Sequence, residues 1–403
     1  MSNTNYDVSS QLPPEIWINI FRWATSPPAG YPAPYYEPFR SSFEEFDEPL
    51  RTKRALVQVC RRWRVLASAF LYEDVRVRYG SRSLREALVS HCDAEDEGSR
   101  GWLGKCVRRL ELPYPQTGTE GPGTTQNVVQ IFKSCPALKT LVRPFMRELP
   151  DSVRYEFPAD IVSLSSLTRL EWWHYNNAAR SGGINSLIHV LRNAPSLQFL
   201  TLGGEFWKNS IAGGPPICLP ALTTLRLRRV NPLFVQQICH WVLPSLVHVV
   251  VDFPPDYDGM EPLWIRFGHQ LCTVELGRNI VFHMSDQIAV FFRSCPRIKI
   301  LNYFIHFTTA PAESYLVEQP SLQCVGIHAF PCAMLSDTWK HLNSHFNFLA
   351  SRFLPALRRI VLHGDWQEIM ADQRFASFKD HLAQKGCVIL LAEDLTSPPC
   401  EHL

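Results

Sequence analysis

Residues 219–227 read L-P-A-L-T-T-L-R-L, and the same phrase returns along the chain. It stands at 135–142 as C-P-A-L-K-T-L-V, at 194–202 as A-P-S-L-Q-F-L-T-L and at 243–251 as L-P-S-L-V-H-V-V-V. It returns at 295–303 as C-P-R-I-K-I-L-N-Y, at 319–327 as Q-P-S-L-Q-C-V-G-I and at 354–362 as L-P-A-L-R-R-I-V-L. Three further copies lack the proline: V-R-R-L-E-L at 107–112, L-T-R-L-E-W at 167–172 and L-C-T-V-E-L at 271–276. The common element is a lead apolar residue, a second three places on and usually a third two after that. Side chains alternate along a strand, so the last two, such as Leu225 and Leu227, point to one face. Proline cannot continue a helix and has no N–H, so it suits the step from a helix end into a strand. Each phrase predicts helix, stop and short strand, a unit that buries its apolar face only by stacking on copies of itself.

The lead residues Leu138, Leu167, Leu197, Leu222, Leu246, Leu271, Ile298 and Leu322 are separated by 29, 30, 25, 24, 25, 27 and 24 residues. These intervals resemble those of the leucine-rich repeat, whose period is about 20–29 residues. The outer steps are longer, 31 from Val107 to Leu138 and 35 from Leu322 to Leu357, and the Asn or Cys that follows the strand in that family is mostly absent. The expected fold is an α/β solenoid: an irregular leucine-rich-repeat horseshoe with a parallel sheet on its concave face and helices outside.

A chain of 403 residues exceeds the roughly 250–300 at which single cores stop growing, a limit that a solenoid escapes. The net charge of +2 gives no general attraction to nucleic acid or acidic membranes. No apolar run approaches the roughly 18 residues of a membrane span, and the first residues lack the pattern of a secretory signal. The twelve cysteines include no C-x-x-C, and several (Cys135, Cys295, Cys324) fall where a small apolar residue would serve. They are expected as buried thiols in a reducing compartment, so the chain is expected inside the cell, in cytoplasm, nucleus or both.

Upstream of the repeats, residues 12–23 (L-P-P-E-I-W-I-N-I-F-R-W) predict a helix, with proline and Glu15 in its first turn and Ile16, Ile20 and Trp23 at helical spacing. A second apolar and basic segment follows at 55–71. Together they resemble the F-box, whose signature is carried here by Leu12, Pro13, Glu15, Ile16 and Ile20, then Val59, Cys60, Arg61, Arg62 and Trp63, continued by Leu66, Ala67 and Leu71. The resemblance implies a trihelical module that docks on a Skp-type adaptor and through it on a cullin ubiquitin ligase. It nominates Leu12, Pro13, Ile16, Ile20, Val59, Trp63 and Leu71 for adaptor contact or its support. An insertion at 27–49, rich in proline, aromatics and acids, departs from the usual F-box spacing. A plain helical cap on the first repeat would explain the apolar stripe but not the order of these identities.

The expected organisation is a helical module at 1–75, a transition and first repeat at 76–126, repeats with a closing helix and strand at 127–395, and a tail at 396–403. Loops are expected at 93–98 and 113–125. Helices are expected at 127–134, 184–193, 233–242, 285–294, 334–353 and 375–384, and strands at 72–77 and 387–391.

Catalytic motifs are missing. There is no H-E-x-x-H, G-x-S-x-G or G-x-G-x-x-G, and Gly104–Lys105 is followed by Cys106 rather than a hydroxyl. The fourteen histidines are dispersed in sequence, so no metal or other cofactor is expected, and no enzyme activity. Strand positions two, four and six after each lead should face away from the core. That assigns Arg169, Glu171, Trp173, Phe199, Thr224, Arg226, Arg228, His248, Asp252, Glu275, Asn302, Phe304, His328, Arg359 and His363 to the concave face. The nominated target-binding set is Arg169, Trp173, Phe199, Arg226, Arg228, His248, Phe304 and Arg359, because aromatics and arginines dominate interfaces. The aromatics could instead tuck into adjacent loops, and the arginines could meet an acidic or phosphorylated segment. The expected function is the substrate-recognition subunit of a Skp–cullin–F-box ubiquitin ligase that holds a target protein on its repeats. The alternative is a repeat scaffold outside any ligase.

Overall fold

The computed structural model describes residues 12–25, 38–39, 47–77, 81–89, 102–112, 123–145, 162–174, 186–204, 216–255, 259–284, 286–335 and 337–393. Three helices open the chain: α1 (Pro14–Thr25), α2 (Asp47–Val59) and α3 (Arg61–Glu73). The segment read as one stretch at 55–71 is divided at Cys60, whose extended backbone and Sγ cap α3 by accepting the Trp63 N–H at 3.4 Å. The last residues of the 27–49 insertion are the start of α2; apart from Pro38 and Phe39, the rest lies outside the described residues. So do the loop at 93–98 and the tail at 396–403. Residues 123–125, read as loop, are the first turn of a helix.

Among the described residues twelve strands follow: β1 (Asp74–Arg76), β2 (Arg109–Glu111), β3 (Thr140–Arg143), β4 (Arg169–His174), β5 (Phe199–Gly204), β6 (Thr224–Arg228), β7 (His248–Val251), β8 (Thr273–Leu276), β9 (Ile300–Phe304), β10 (Cys324–His328), β11 (Arg359–His363) and β12 (Val388–Leu391). They form one parallel sheet in strict sequence order from β1 to β12, open at both ends. This is the order of a solenoid. Each of the ten phrases supplies one strand, β2 to β11.

The geometry of the phrase is the same in each coil. The lead residue closes a tight turn, in which the proline sits second where the copy has one: Leu138 N–H donates to the Cys135 carbonyl, Leu222 to Leu219, Leu246 to Leu243 and Leu357 to Leu354. Proline's fixed φ suits that position. The next carbonyl then accepts two N–H groups from the following coil. Arg108 accepts from Lys139 and Thr140, Lys139 from Thr168 and Arg169, Gln198 from Thr223 and Thr224, and the pattern runs on to Gln323, which accepts from Arg358 and Arg359 at 2.9 and 3.1 Å. Serines after the proline add a second stitch, Ser245 Oγ to the Pro220 carbonyl at 2.6 Å and Ser321 Oγ to Pro296 at 2.7 Å.

Inside, two columns of side chains run the length of the sheet. Leu110, Leu141, Leu170, Leu200, Leu225, Val249, Val274, Leu301, Val325 and Ile360 form one; Trp172, Leu202, Leu227, Val251, Leu276, Tyr303, Ile327 and Leu362 form the other, all buried. Arg143 interrupts the second column and lays its guanidinium over the Trp172 ring, 5.4 Å from its centroid. Return helices cover the outer side: α4 (Arg82–Val89), α5 (Trp102–Cys106), α6 (Gly123–Ser134), α7 (Ser186–Arg192), α8 (Pro232–Ile238), α9 (Glu261–Phe267), α10 (Val281–Met284), α11 (Gln287–Ser294), α12 (Thr338–Ala350), α13 (Gln367–Met370) and α14 (Gln373–Gln384). The 24- and 25-residue coils leave room for only two turns of helix, whereas the 35-residue step holds the thirteen-residue α12. Cys135 and Cys295 fill core slots at helix ends, and burial pushes both thiols up to about 12.

Leu225 is fully buried between Leu200 and Val249 on the neighbouring strands. Leu225→Ala should cost about 2–5 kcal/mol, and Ser245→Ala, which removes one inter-coil hydrogen bond, about 1 kcal/mol. Urea unfolding followed by circular dichroism measures both; equal losses would contradict a core organised by these columns.

Candidate functional site

Two surfaces of the fold carry the residues singled out in the sequence. On α1 the inward side is aromatic. Trp17 and Phe21 pack with Trp63 of α3 at centroid distances of 4.8 and 4.9 Å, and Phe21 is fully buried. Arg62 Nη2 donates to the Leu12 carbonyl at 2.7 Å and fixes the entry to α1. Trp63 is therefore a clamp between helices, and Leu12 and Leu71 are half-buried. The adjoining stripe of α1 faces water: Ile16 is 44 % exposed, Ile20 39 % and Trp23 86 %, at the i, i+4, i+7 spacing of one helix face. Pro13 is exposed at its start, and Val59 at the end of α2 is 60 % exposed.

The concave face is lined by the strand positions expected, and much of its charge is met within the chain. Arg109 pairs with Asp74 at 2.8 Å and Glu111 at 3.0 Å, and Arg169 with Glu171 at 2.8 Å. Arg226 grips Asp252 with Nε and Nη2, both at 2.8 Å, while Arg228 Nε lies 3.1 Å from the same carboxylate. Burial opposes the charge on both guanidiniums. Asp252 more than offsets this for Arg226, whereas Arg228 is brought down to about 10. Trp173 lies against Phe145 from the loop after β3, 4.8 Å between centroids, over Gly203. Phe199 sits 5.8 Å from the Arg169 guanidinium, and Arg359 is exposed. His248 shares this face, yet it is 4 % exposed beside Thr224. Burial, then the charge of Arg226, lowers its pKa to about 3.

Toward the C-terminal end Phe304, His328 and His363 occupy one register on β9, β10 and β11. The ring of Phe39, from the insertion between α1 and α2, rests on all three. Nothing in the period of the repeats could have signalled this, since Phe39 lies outside them; the aromatic richness of the insertion was the only hint.

Histidines far apart in sequence also meet. His283, His306, His341 and His345 cluster between the end of β9 and α12, with His341 and His345 rings 4.7 Å apart. Each bonded N–H goes to a backbone carbonyl: His341 Nε2 to Ile305, His345 Nε2 to Thr308 and His306 Nδ1 to Phe330. His345 Nδ1 is thereby left to accept the Tyr303 hydroxyl at 3.2 Å. Among the described residues no group of histidine, cysteine and carboxylate side chains is arranged to hold a metal ion, and no helix is long and apolar enough to cross a membrane.

No family model matches the chain. No curated protein matches it either. Among solved structures, the leucine-rich repeat-containing protein LegL7 from Legionella pneumophila aligns over 78 % of this chain and 98 % of its own, with a TM-score of 0.43 and 13 % identity. The leucine-rich-repeat-like architecture described above rests on the strand order and the repeated turn rather than on that loose superposition.

Burial lowers His174 to about 4; burial, then Arg226, lowers His248 to about 3, and burial, then the neighbouring histidines, lowers His345 to about 3, so all three are neutral in the fold. A depressed histidine pKa means that the unfolded chain takes up its proton first. Stability should hold above about pH 6.5 and fall as the pH drops from there toward 4, by about 1.4 kcal/mol per pH unit for each proton taken up on unfolding. Urea midpoints measured between pH 8 and 4.5 test this; a midpoint that rises on acidification would show that these imidazoles are charged in the fold.

Proposed function

We propose that the chain is a non-catalytic substrate receptor of a Skp–cullin–F-box ubiquitin ligase, built on a leucine-rich-repeat-type interaction scaffold. The scaffold half of this reading follows from the sequential parallel sheet. The adaptor half goes further and is supported by one observation: α1 turns Trp17 and Phe21 inward and leaves Ile16, Ile20 and Trp23 to solvent. A lone exposed isoleucine means little, but an apolar stripe at helical spacing is the surface that a partner helix covers. Ile16 and Ile20 are among the residues through which residues 12–71 resemble an F-box, and α1–α3 supply the three helices that such a module would need.

On this reading α1–α3 dock a Skp-type adaptor and through it a cullin, and the concave face holds a target protein. The chain supplies no reacting group. It raises the effective concentration of a target lysine near a charged conjugating enzyme. It works inside the cell, in cytoplasm, nucleus or both.

A scaffold that never joins a ligase would keep the repeats and fail to bind adaptor, so capture separates the two. Wild-type chain should retain a purified Skp-type adaptor at micromolar concentration. Ile16→Asp with Ile20→Asp should reduce capture by about a hundredfold or more while shifting the melting temperature little, because both side chains already face water. Trp63→Ala should instead destabilise the module by about 3–5 kcal/mol and lose capture through unfolding. Failure of the wild-type protein to retain adaptor would leave the scaffold reading alone.

A further inference from the structure

Between β8 and β11 the concave face forms a socket that already holds a side chain. Its wall is built by the sheet itself: Phe304, His328 and His363 stand side by side because their strands pair in register, and Phe304 and His328 stack with centroids 4.7 Å apart. Phe39 enters edge-to-face against all three, at 5.0, 5.3 and 4.7 Å. The floor is Gly326, where a Cβ would lie 2.3 Å from Asn302 Oδ1, so the missing side chain makes room for that amide, while at 3.5 Å it would just touch the Phe39 ring. The backbone N–H of Phe39 donates to Glu275 Oε2 at 2.9 Å, and Glu275 is only 1 % exposed, where a carboxylate depends on such donors.

We propose that this socket is a peptide-recognition site for an aromatic residue, that Phe39 is its occupant in cis, and that a target segment presenting a phenylalanine binds by displacing it. The proposal rests on the reading of the concave face as target-binding but not on adaptor docking. Three features separate a recognition site from a structural plug. The wall residues hold their positions through strand register, which Phe39 does not set. The contacts are those that any aromatic residue in a peptide can make, one ring and one backbone N–H. Phe39 also makes them at φ +61°, a left-handed conformation that L-residues adopt only at a cost, so an unstrained segment competes on favourable terms. Burial, then Arg278, holds His328 below its ordinary pKa, and burial brings His363 to about 4, so the wall is neutral and suited to a ring rather than to an anion.

The test uses the full chain and a fluorescein-labelled peptide of residues 32–43 as the probe, with binding followed by anisotropy. A cis occupant at millimolar effective concentration should weaken a peptide of about 100 μM affinity roughly tenfold. The probe should therefore bind the Phe39→Ala chain about ten times more tightly than wild type. The probe with alanine in place of Phe39 should bind neither. In the Phe39→Ala background, Gly326→Val should fill the socket and abolish binding, and Phe304→Ala, at a half-buried position less demanding of the fold, should weaken it; thermal melts show that each variant is folded. Equal affinity of the probe for wild type and Phe39→Ala, no binding to Phe39→Ala, or unchanged binding of the alanine probe would each overturn the proposal. Adaptor capture measured on the same preparations keeps the outcomes apart: capture without peptide binding sinks this inference alone, and peptide binding without capture sinks only the ligase reading.

Discussion

One carbonyl per coil holds this molecule in register. It lies just after the lead leucine and accepts two N–H groups from the coil that follows, and from Arg108 to Gln323 the arrangement never skips. Because side chains alternate along a strand, a slip of one residue at any of these carbonyls would turn the whole inner column outward. The doubled bond and the buried leucines thus enforce each other. The hydrogen bonds fix which residues face in, and the cost of exposing those residues fixes the hydrogen bonds.

The same register decides the chemistry of the concave face. In a parallel in-register sheet equivalent positions stack about 4.8 Å apart, so a column of arginines would repel itself. The chain avoids this by setting carboxylates beside cations. Arg109 lies between Asp74 and Glu111, Arg169 beside Glu171, and Asp252 takes both Arg226 and Arg228. The N-terminal half of the face is consequently a polar lattice with its charges matched internally. The C-terminal half has few charges and a run of rings, and there the insertion lays its phenylalanine.

The repeating part of the fold was legible in the sequence because its cause is local. An apolar residue, a turn and two alternating apolar positions recur at an interval that only stacked coils satisfy, and β2 to β11 follow the phrases one for one. The site was less legible. Helix α9 went unread because E-P-L-W-I-R-F is too short to show a period. Ile16, Ile20 and Trp23 were read as the apolar stripe of the first helix, but which residues turn inward is decided by Trp63, on a helix that the spacing of α1 does not predict. Arg226 and Arg228 take their partner Asp252 from the neighbouring coil, which the sequence order does not announce, whereas Arg169 pairs with Glu171 on its own strand. The histidine cluster joins the turn after β9, α10 and α12, whose proximity is set by coil geometry and not by sequence distance. Phe39 belongs to no repeat, and its partner Glu275 lies 236 positions on.

That last separation changes how the molecule distributes strain. A solenoid is close to a one-dimensional system, in which each coil feels only its neighbours and the ends fray independently. Seating Phe39 on β9–β11 sets a residue from the stretch between α1 and α2 against the far coils and departs from that line. Loosening of β9 to β11 then also costs the contacts of Phe39, so those coils no longer feel their neighbours alone.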